Sequence, residues 1–227
     1  LEIKKIKGTF DSHIKWKRQF NQDEEQLCPG VSGRLFKNIK NVESPDWLKK
    51  KLLAIGLRPI SALVDITNYI TFDLGRPLHV YDADKINGNL SMRLAKDDEK
   101  CKTLDEKEYT LSSDMIVIAD DSKLHGIGGV MGGMESGCSI STTNVFLEVA
   151  LFDPISVTKT GRKLNLQSDA RYRFERGIDN TSINWGVDKA TEMILELCGG
   201  EASKVTKDTN YKMEDKIIKY NFNKVNS

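Results

Sequence analysis

Ser122 to Gly137 gathers six of the chain's 17 glycines into one stretch, around His125. Glycine reaches positive φ and lets a ligand or a second backbone approach where a Cβ would stand in the way. Close packing against this stretch is therefore expected, but not of a nucleotide phosphate. A P-loop ends in Gly-Lys-Ser/Thr, which sets an ammonium and a hydroxyl on the phosphates and metal, and Gly132-Gly133-Met134 supplies neither. The dinucleotide fingerprint fails as well, because Gly126-Ile127-Gly128 is followed by Gly129, Val130 and then Met131 where the third glycine belongs. Both motifs also open a helix, whereas Asn144 to Ala150 reads as a strand. A glycine-rich turn between two core strands accounts for the stretch equally well.

Four polar residues stand out against apolar surroundings. On the strand after the glycines, Val145, Leu147 and Val149 point one way, and Phe146, Glu148 and Ala150 the other. A lone carboxylate on such a strand is costly to bury unless something donates hydrogen bonds to it, which marks Glu148 as a binding candidate. Thr67 and Asn68 fall at or beside the apolar stripe of a helix, although a core helix tolerating two polar residues explains them better by composition alone. His79 follows the rigid Arg76-Pro77 turn among apolar neighbours. Arg171, Arg173 and Arg176 are dense enough to bind phosphate or a partner carboxylate. Pairing with Asp169, Glu175 and Asp179 is an equal alternative.

Several chemistries are excluded. There is no Gly-x-Ser-x-Gly, and none of Cys28, Cys101, Cys138 and Cys198 adjoins a histidine, so no activated nucleophile is visible. The cysteines form no Cys-x-x-Cys pair and His13, His79 and His125 are scattered, so no metal site is expected, and reduced thiols of a cytoplasmic protein are. With 227 residues, 39% hydrophobic and 30% charged, and a net charge of +1, the chain suits a soluble domain with a full core. No apolar run approaches a membrane span and no signal peptide is visible.

These residues need elements to hold them. Residues 1–27 read as a polar, irregular tail, and the globular part is expected to begin near Cys28-Pro29. Val31 to Val42 suggests a strand pair or a strand with a turn. Ser44 is expected to cap a helix with Pro45 at its first position, running to Ile55 and stopping at Gly56. A second helix should start near Ser61, carry Thr67 and Asn68, and end at Gly75. Short strands follow at 90–95, 102–104, 109–111 and 115–119, then the glycine stretch and the strand bearing Glu148. Asp153 should cap one helix, and another is expected from Thr181 to Leu197. Lys216 to Phe222 alternates like the first strand of a further domain. The missing initial Met and this interrupted pattern suggest a piece of a larger protein.

Eight motifs in order carry a resemblance beyond periodicity. They are Cys28-Pro29; Ser44-Pro45 with Trp47-Leu48; Gly56-Leu57-Arg58-Pro59-Ile60; Val64-Asp65-Ile66-Thr67-Asn68-Tyr69; Leu74-Gly75-Arg76-Pro77-Leu78-His79; Gly129-Val130-Met131-Gly132-Gly133; Leu147-Glu148; and Ser168-Asp169-Ala170 through Phe174-Glu175-Arg176-Gly177. Together they resemble the B3/B4 region of the bacterial phenylalanyl-tRNA synthetase beta subunit, over roughly Cys28 to Val205. The resemblance implies an α+β fold, a layered β-sandwich-like core with flanking helices. It divides the chain into the end of a B1-like region (1–27), a B3/B4 editing domain (28–205), and a linker with the start of a B5-like domain (206–227).

The activity implied is hydrolysis of tyrosine mistakenly esterified to the phenylalanine tRNA. His79, Asn68 and Thr67 would serve catalysis, and Glu148, Gly129, Gly132, Ser168 and Ala170 would bind substrate. A positioned water would attack the ester, while Glu148 accepts a hydrogen bond from the phenol that phenylalanine lacks. No cofactor is expected here; ATP and magnesium would belong to the whole enzyme, in which aminoacylation falls to the alpha subunit. The implied partners are the acceptor end of tRNA(Phe), the alpha subunit in an alpha2beta2 assembly, and tyrosine as the editing ligand, with no membrane. Ser168 stands where threonine is frequent, and Arg171 where a small polar residue is common. Two other classes compete: a non-catalytic scaffold docking tRNA or the alpha subunit, and a freestanding deacylase of the same fold.

Overall fold

Alternation along one strand sets the architecture. In the computed structural model, which describes residues 3–210 and residue 217, all seven residues of Val145–Leu151 are buried. Their two faces enter different cores. Val145, Leu147, Val149 and Leu151 meet helices, and Phe146 and Ala150 meet a second sheet. A strand covered on both faces can be apolar throughout, which is why Glu148 is conspicuous in it.

In chain order the strands are β1 (Trp16–Gln19), β2 (Gly30–Lys37), β3 (His79–Asp82), β4 (Leu90–Leu94), β5 (Lys100–Lys102), β6 (Glu108–Thr110), β7 (Ile116–Ala119), β8 (Leu124–Ile127), β9 (Met131–Gly132), β10 (Val145–Leu151), β11 (Glu201–Ala202) and β12 (Thr206–Thr209). The helices are α1 (Asp46–Ala54), α2 (Ala62–Asp73), α3 (Pro154–Lys163), α4 (Asp169–Phe174) and α5 (Ser182–Cys198). One sheet runs β1-β4-β7-β8-β9 and the other β11-β2-β10-β3, with β12 also paired to β2. β5 and β6 form a separate hairpin. Three layers result: the first sheet, the second sheet, and α1, α2 and α5 on the second sheet's far face. The fold is α+β, a layered sandwich with flanking helices.

Helix boundaries follow local chemistry at most positions. Asp153 caps α3 by accepting from the Ser156 amide at 2.7 Å, with Pro154 at the first turn. Ser168 caps α4 through the Arg171 amide at 3.0 Å. Gly56 and Gly75, with φ of +80° and +64°, turn the chain out of α1 and α2. Ser44 departs from expectation. Pro45 occupies the position before α1, and the Ser44 hydroxyl instead reaches Asp65 on α2 at 2.6 Å. Asp65 also accepts from the Ile60 amide at 2.9 Å, so one fully buried carboxylate ties the two helices together.

The two ends of the described chain also differ from the sequence reading. The stretch expected to be an irregular tail buries Ile14 and Trp16 in the core and supplies β1, which pairs parallel with β4. Residues 206–209, expected in a linker, form β12 against β2. The alternating stretch Lys216 to Phe222 lies outside the described residues, save Ile217.

Candidate functional site

β3 and β10 set the central pair. They run antiparallel with Glu148 opposite His79 and Phe146 opposite Tyr81. Directly opposed residues share a face, and so do residues two apart on one strand, so His79, Tyr81 and Glu148 all project toward the first sheet. Glu148 is 7% exposed, and its Oε2 accepts the Tyr81 hydroxyl. Burial is the largest influence on Glu148 and pushes its carboxyl up to about 7, against the downward pull of the Tyr81 hydrogen bond and the Arg76 charge. Tyr81 is raised well above the ordinary phenol value by burial and by the adjacent carboxylate.

Arg76 is completely buried just ahead of β3, bonded to the Pro77 and Ala150 carbonyls at 2.9 and 2.6 Å. Burial brings its guanidinium down to about 9, which leaves it cationic at neutral pH. His79 packs edge-on against Tyr81 with ring centroids 4.6 Å apart. Its Nε2 is buried and has no hydrogen-bond partner among the described residues. Burial, with a smaller contribution from His125, lowers His79 to about 4, so the ring is neutral at physiological pH.

The glycine stretch is a hairpin, not a loop: β8 and β9 pair antiparallel, with Gly126 opposite Gly132 and Ile127 opposite Met131. Gly129 turns it at φ +69°. A Cβ on Gly132 would stand 2.7 Å from His79 Nε2, so that glycine makes room for the imidazole. Behind the hairpin, His125 Nε2 pairs with Asp120 at 2.7 Å, and both side chains are sealed from solvent. Burial would raise the Asp120 carboxyl, but the Asn87, Ser122 and Lys123 amides and His125 together hold it below the usual range. This buried pair braces the hairpin, and the His125 ring lies edge-on to Tyr81 with centroids 6.0 Å apart.

Two cavities meet at Pro77, Leu78, His79 and Ala170. One, of about 70 Å³, is lined by Glu148, Tyr81, His79 and the hairpin glycines Gly126, Gly129 and Gly132. The other, of about 220 Å³, is lined by Thr67, Asn68, His79, Asp169 and Ala170. His79 and Ala170 thus stand between a wall bearing the carboxylate and one bearing Thr67 and Asn68. Thr67 bonds back to the Val64 carbonyl at 2.7 Å, whereas the Asn68 side chain bonds no described residue. Ser168 lines neither cavity. Its hydroxyl caps α4 and donates to the Val130 carbonyl at 2.5 Å, fastening that helix to the hairpin.

The dense arginines pair internally. Arg171 meets Glu175 at 3.0 Å, Arg176 meets Glu175 at 2.7 Å, and Arg173 lies 3.7 Å from Asp169 and over the Phe72 ring. Sequence reasoning gave Tyr81, Arg76, His125 and Asp120 no role. Tyr81 alone carried a usable signal, since it lies two residues beyond His79 on the same strand face. The other three are recognised only by what the fold places beside them.

A two-sheet sandwich backed by helices, with a cleft where a buried carboxylate, a neutral imidazole and a glycine hairpin converge, defines a domain of the layered α+β class. The family model of the B3/4 domain matches residues 27–199. The chain belongs to that family. It is 52% identical over 203 residues to the phenylalanine–tRNA ligase beta subunit of Paramagnetospirillum magneticum, covering 89% of this chain and 25% of that protein. The beta subunit of Mesorhizobium japonicum is 54% identical over 199 residues, covering 88% and 24%. The chain therefore spans about a quarter of the length of these relatives. A solved N-terminal fragment of the phenylalanyl-tRNA synthetase beta subunit from Pyrococcus horikoshii has a TM-score of 0.46 and 14% identity, over 69% of this chain and 51% of that one. No helix among the described residues is long and apolar enough to cross a membrane.

Proposed function

We propose that this chain is the editing module of a phenylalanine–tRNA ligase beta subunit, occupying roughly residues 28–205, and that it hydrolyses tyrosine wrongly esterified to tRNA(Phe). The observation that carries the proposal is the Glu148 carboxylate, buried at the cleft and already accepting a phenol hydroxyl from Tyr81. A tyrosyl side chain brings a second phenol to the same group. Phenylalanine would leave the carboxylate desolvated without a new donor, and a site built around a hydroxyl can reject the analogue lacking it by about 10⁴–10⁵-fold.

The nucleophile is a water. Its oxygen adds to the ester carbonyl, and the tetrahedral intermediate collapses to free tyrosine and the terminal ribose hydroxyl. His79, which stands where both cavities meet, orients that water against the ester. A base working near neutrality is best matched to the operating pH. An imidazole held at about 4 therefore contributes through orientation more than through proton abstraction. Thr67 and Asn68 lie across His79 on the second cavity wall, suited to the terminal ribose. Ala170, small and placed where the two cavities meet, leaves space for the aromatic side chain, while Gly132 leaves it for the His79 ring.

Working in the cytoplasm, the whole enzyme would join this module to an alpha subunit in an alpha2beta2 assembly, with ATP and magnesium serving aminoacylation there. Among the described residues no group of three or more His, Cys, Asp or Glu side chains is placed to hold an ion. Substituting His79→Ala in the assembled enzyme should slow tyrosine release from Tyr-tRNA(Phe) by about 10²-fold. Near-wild-type release would remove His79 from the mechanism.

A further inference from the structure

Glu148 offers its two oxygens unequally. Oε2 accepts the Tyr81 hydroxyl, while Oε1 accepts from no described residue and is not among the atoms sealed from solvent. Tyr81 is only 1% exposed, Glu148 is its hydroxyl's sole partner among the described residues, and its ring is fixed edge-on between His79 and His125, at 4.6 and 6.0 Å. The hydroxyl is thus held from two sides and cannot leave the carboxylate without moving a packed ring.

We infer that Tyr81 is a specificity-determining positioning residue: its hydroxyl fixes one Glu148 oxygen and turns the other to the cleft for the phenol of the ligand. The inference rests on the editing reading for the identity of that ligand, but not for the coupling of the two side chains. Without the Tyr81 donor the carboxylate would be free to rotate about its last torsion and to take up a proton more readily. Either change weakens it as an oriented acceptor. The titratable groups facing Glu148 are Arg76 ahead of β3, His79 and Tyr81 on β3, and Cys28 ahead of β2, with His125 on β8 beyond the Tyr81 ring. Of these, Tyr81 alone is hydrogen-bonded to the carboxylate.

Tyr81→Phe keeps the ring and deletes the donor. In the 227-residue chain, the Glu148 carboxyl carbon followed by NMR through a pH titration should show its midpoint move upward, because the group favouring the ionised form is gone. In the assembled enzyme the same change should lower the preference for Tyr-tRNA(Phe) over Phe-tRNA(Phe) by about tenfold, the scale of one hydrogen bond to a charged group. In a Glu148→Gln background it should leave the residual preference unchanged, which a general packing defect would not do. An unmoved midpoint, or a preference lost equally in both backgrounds, would overturn the assignment. A wild-type enzyme that leaves Tyr-tRNA(Phe) intact would overturn the editing reading instead. The Glu148 midpoint then decides the role of Tyr81, upward movement supporting it and no movement refuting it.

Discussion

Glu148 and His79 face each other across β3 and β10 with their ionisation pushed in opposite senses. Burial raises the carboxyl to about 7 and lowers the imidazole to about 4, so each is held toward its neutral form. For Glu148 the folded value lies above the unfolded one, so its contribution to stability is present below about pH 4.5 and is lost as pH rises through 7. For His79 the sign reverses: the neutral ring favours the fold above about pH 6.5, and that benefit falls away toward pH 4. The two oppose each other in the overlap, and comparison with a variant separates them. Relative to wild type, Glu148→Gln should gain on the order of 2–3 kcal/mol as pH rises from 4.5 to 8. Urea unfolding at a series of pH values reads this difference, and a flat difference would place Glu148 in solvent.

Glu148 and His79 were legible at this scale because each is a polar residue in an apolar run. The bond from Tyr81 was not, since it depends on the register between β3 and β10. Ser168, expected among the substrate-binding residues, is seen capping α4 and bonded to the Val130 carbonyl. Its place before α4 is readable as a cap, but whether a capping hydroxyl also faces a cavity depends on the strand packed beside it.

Among the elements, the β8–β9 hairpin does most to shape the cleft. Glycine density correctly signalled a close approach, and the approaching group is the His79 ring. The strand pairing was not readable, because short glycine-rich segments carry little β-propensity. Gly132→Ala tests the contact, since no positive φ is required at that position and the strain falls on the imidazole alone. The variant should fold, shift the His79 ring resonances and slow tyrosine release by about tenfold. Unchanged His79 resonances would mean that the hairpin does not set the ring. The alternation of β10 was readable in full, because its two faces enter two different cores. The Ser44 hydroxyl escaped prediction since Asp65, its partner, is 21 positions away.

Across the whole molecule, the cleft lies at the seam between the two sheets, while α1, α2 and α5 cover the far face of the second sheet. The part of the fold least visible in sequence was the wrapping of the ends: β1 is a four-residue polar strand recognisable only by its buried Trp16, and β12 pairs Thr206–Thr209 with Gly30–Gly33 of β2, from the far end of the described chain. Boundaries drawn from composition place polar edge strands outside a domain even when their backbones complete its sheets. The chain spans about a quarter of the length of its relatives, so the proposed function is best measured in the complete assembly. The decisive measurement is the ratio of hydrolysis rates for Tyr-tRNA(Phe) and Phe-tRNA(Phe), in the wild-type enzyme and in Glu148→Ala. A strong wild-type preference for the tyrosyl ester, falling by about 10²-fold or more in the variant, is expected. Equal hydrolysis of both esters by the wild type, or a preference that survives the loss of the carboxylate, would contradict the assignment of this cleft.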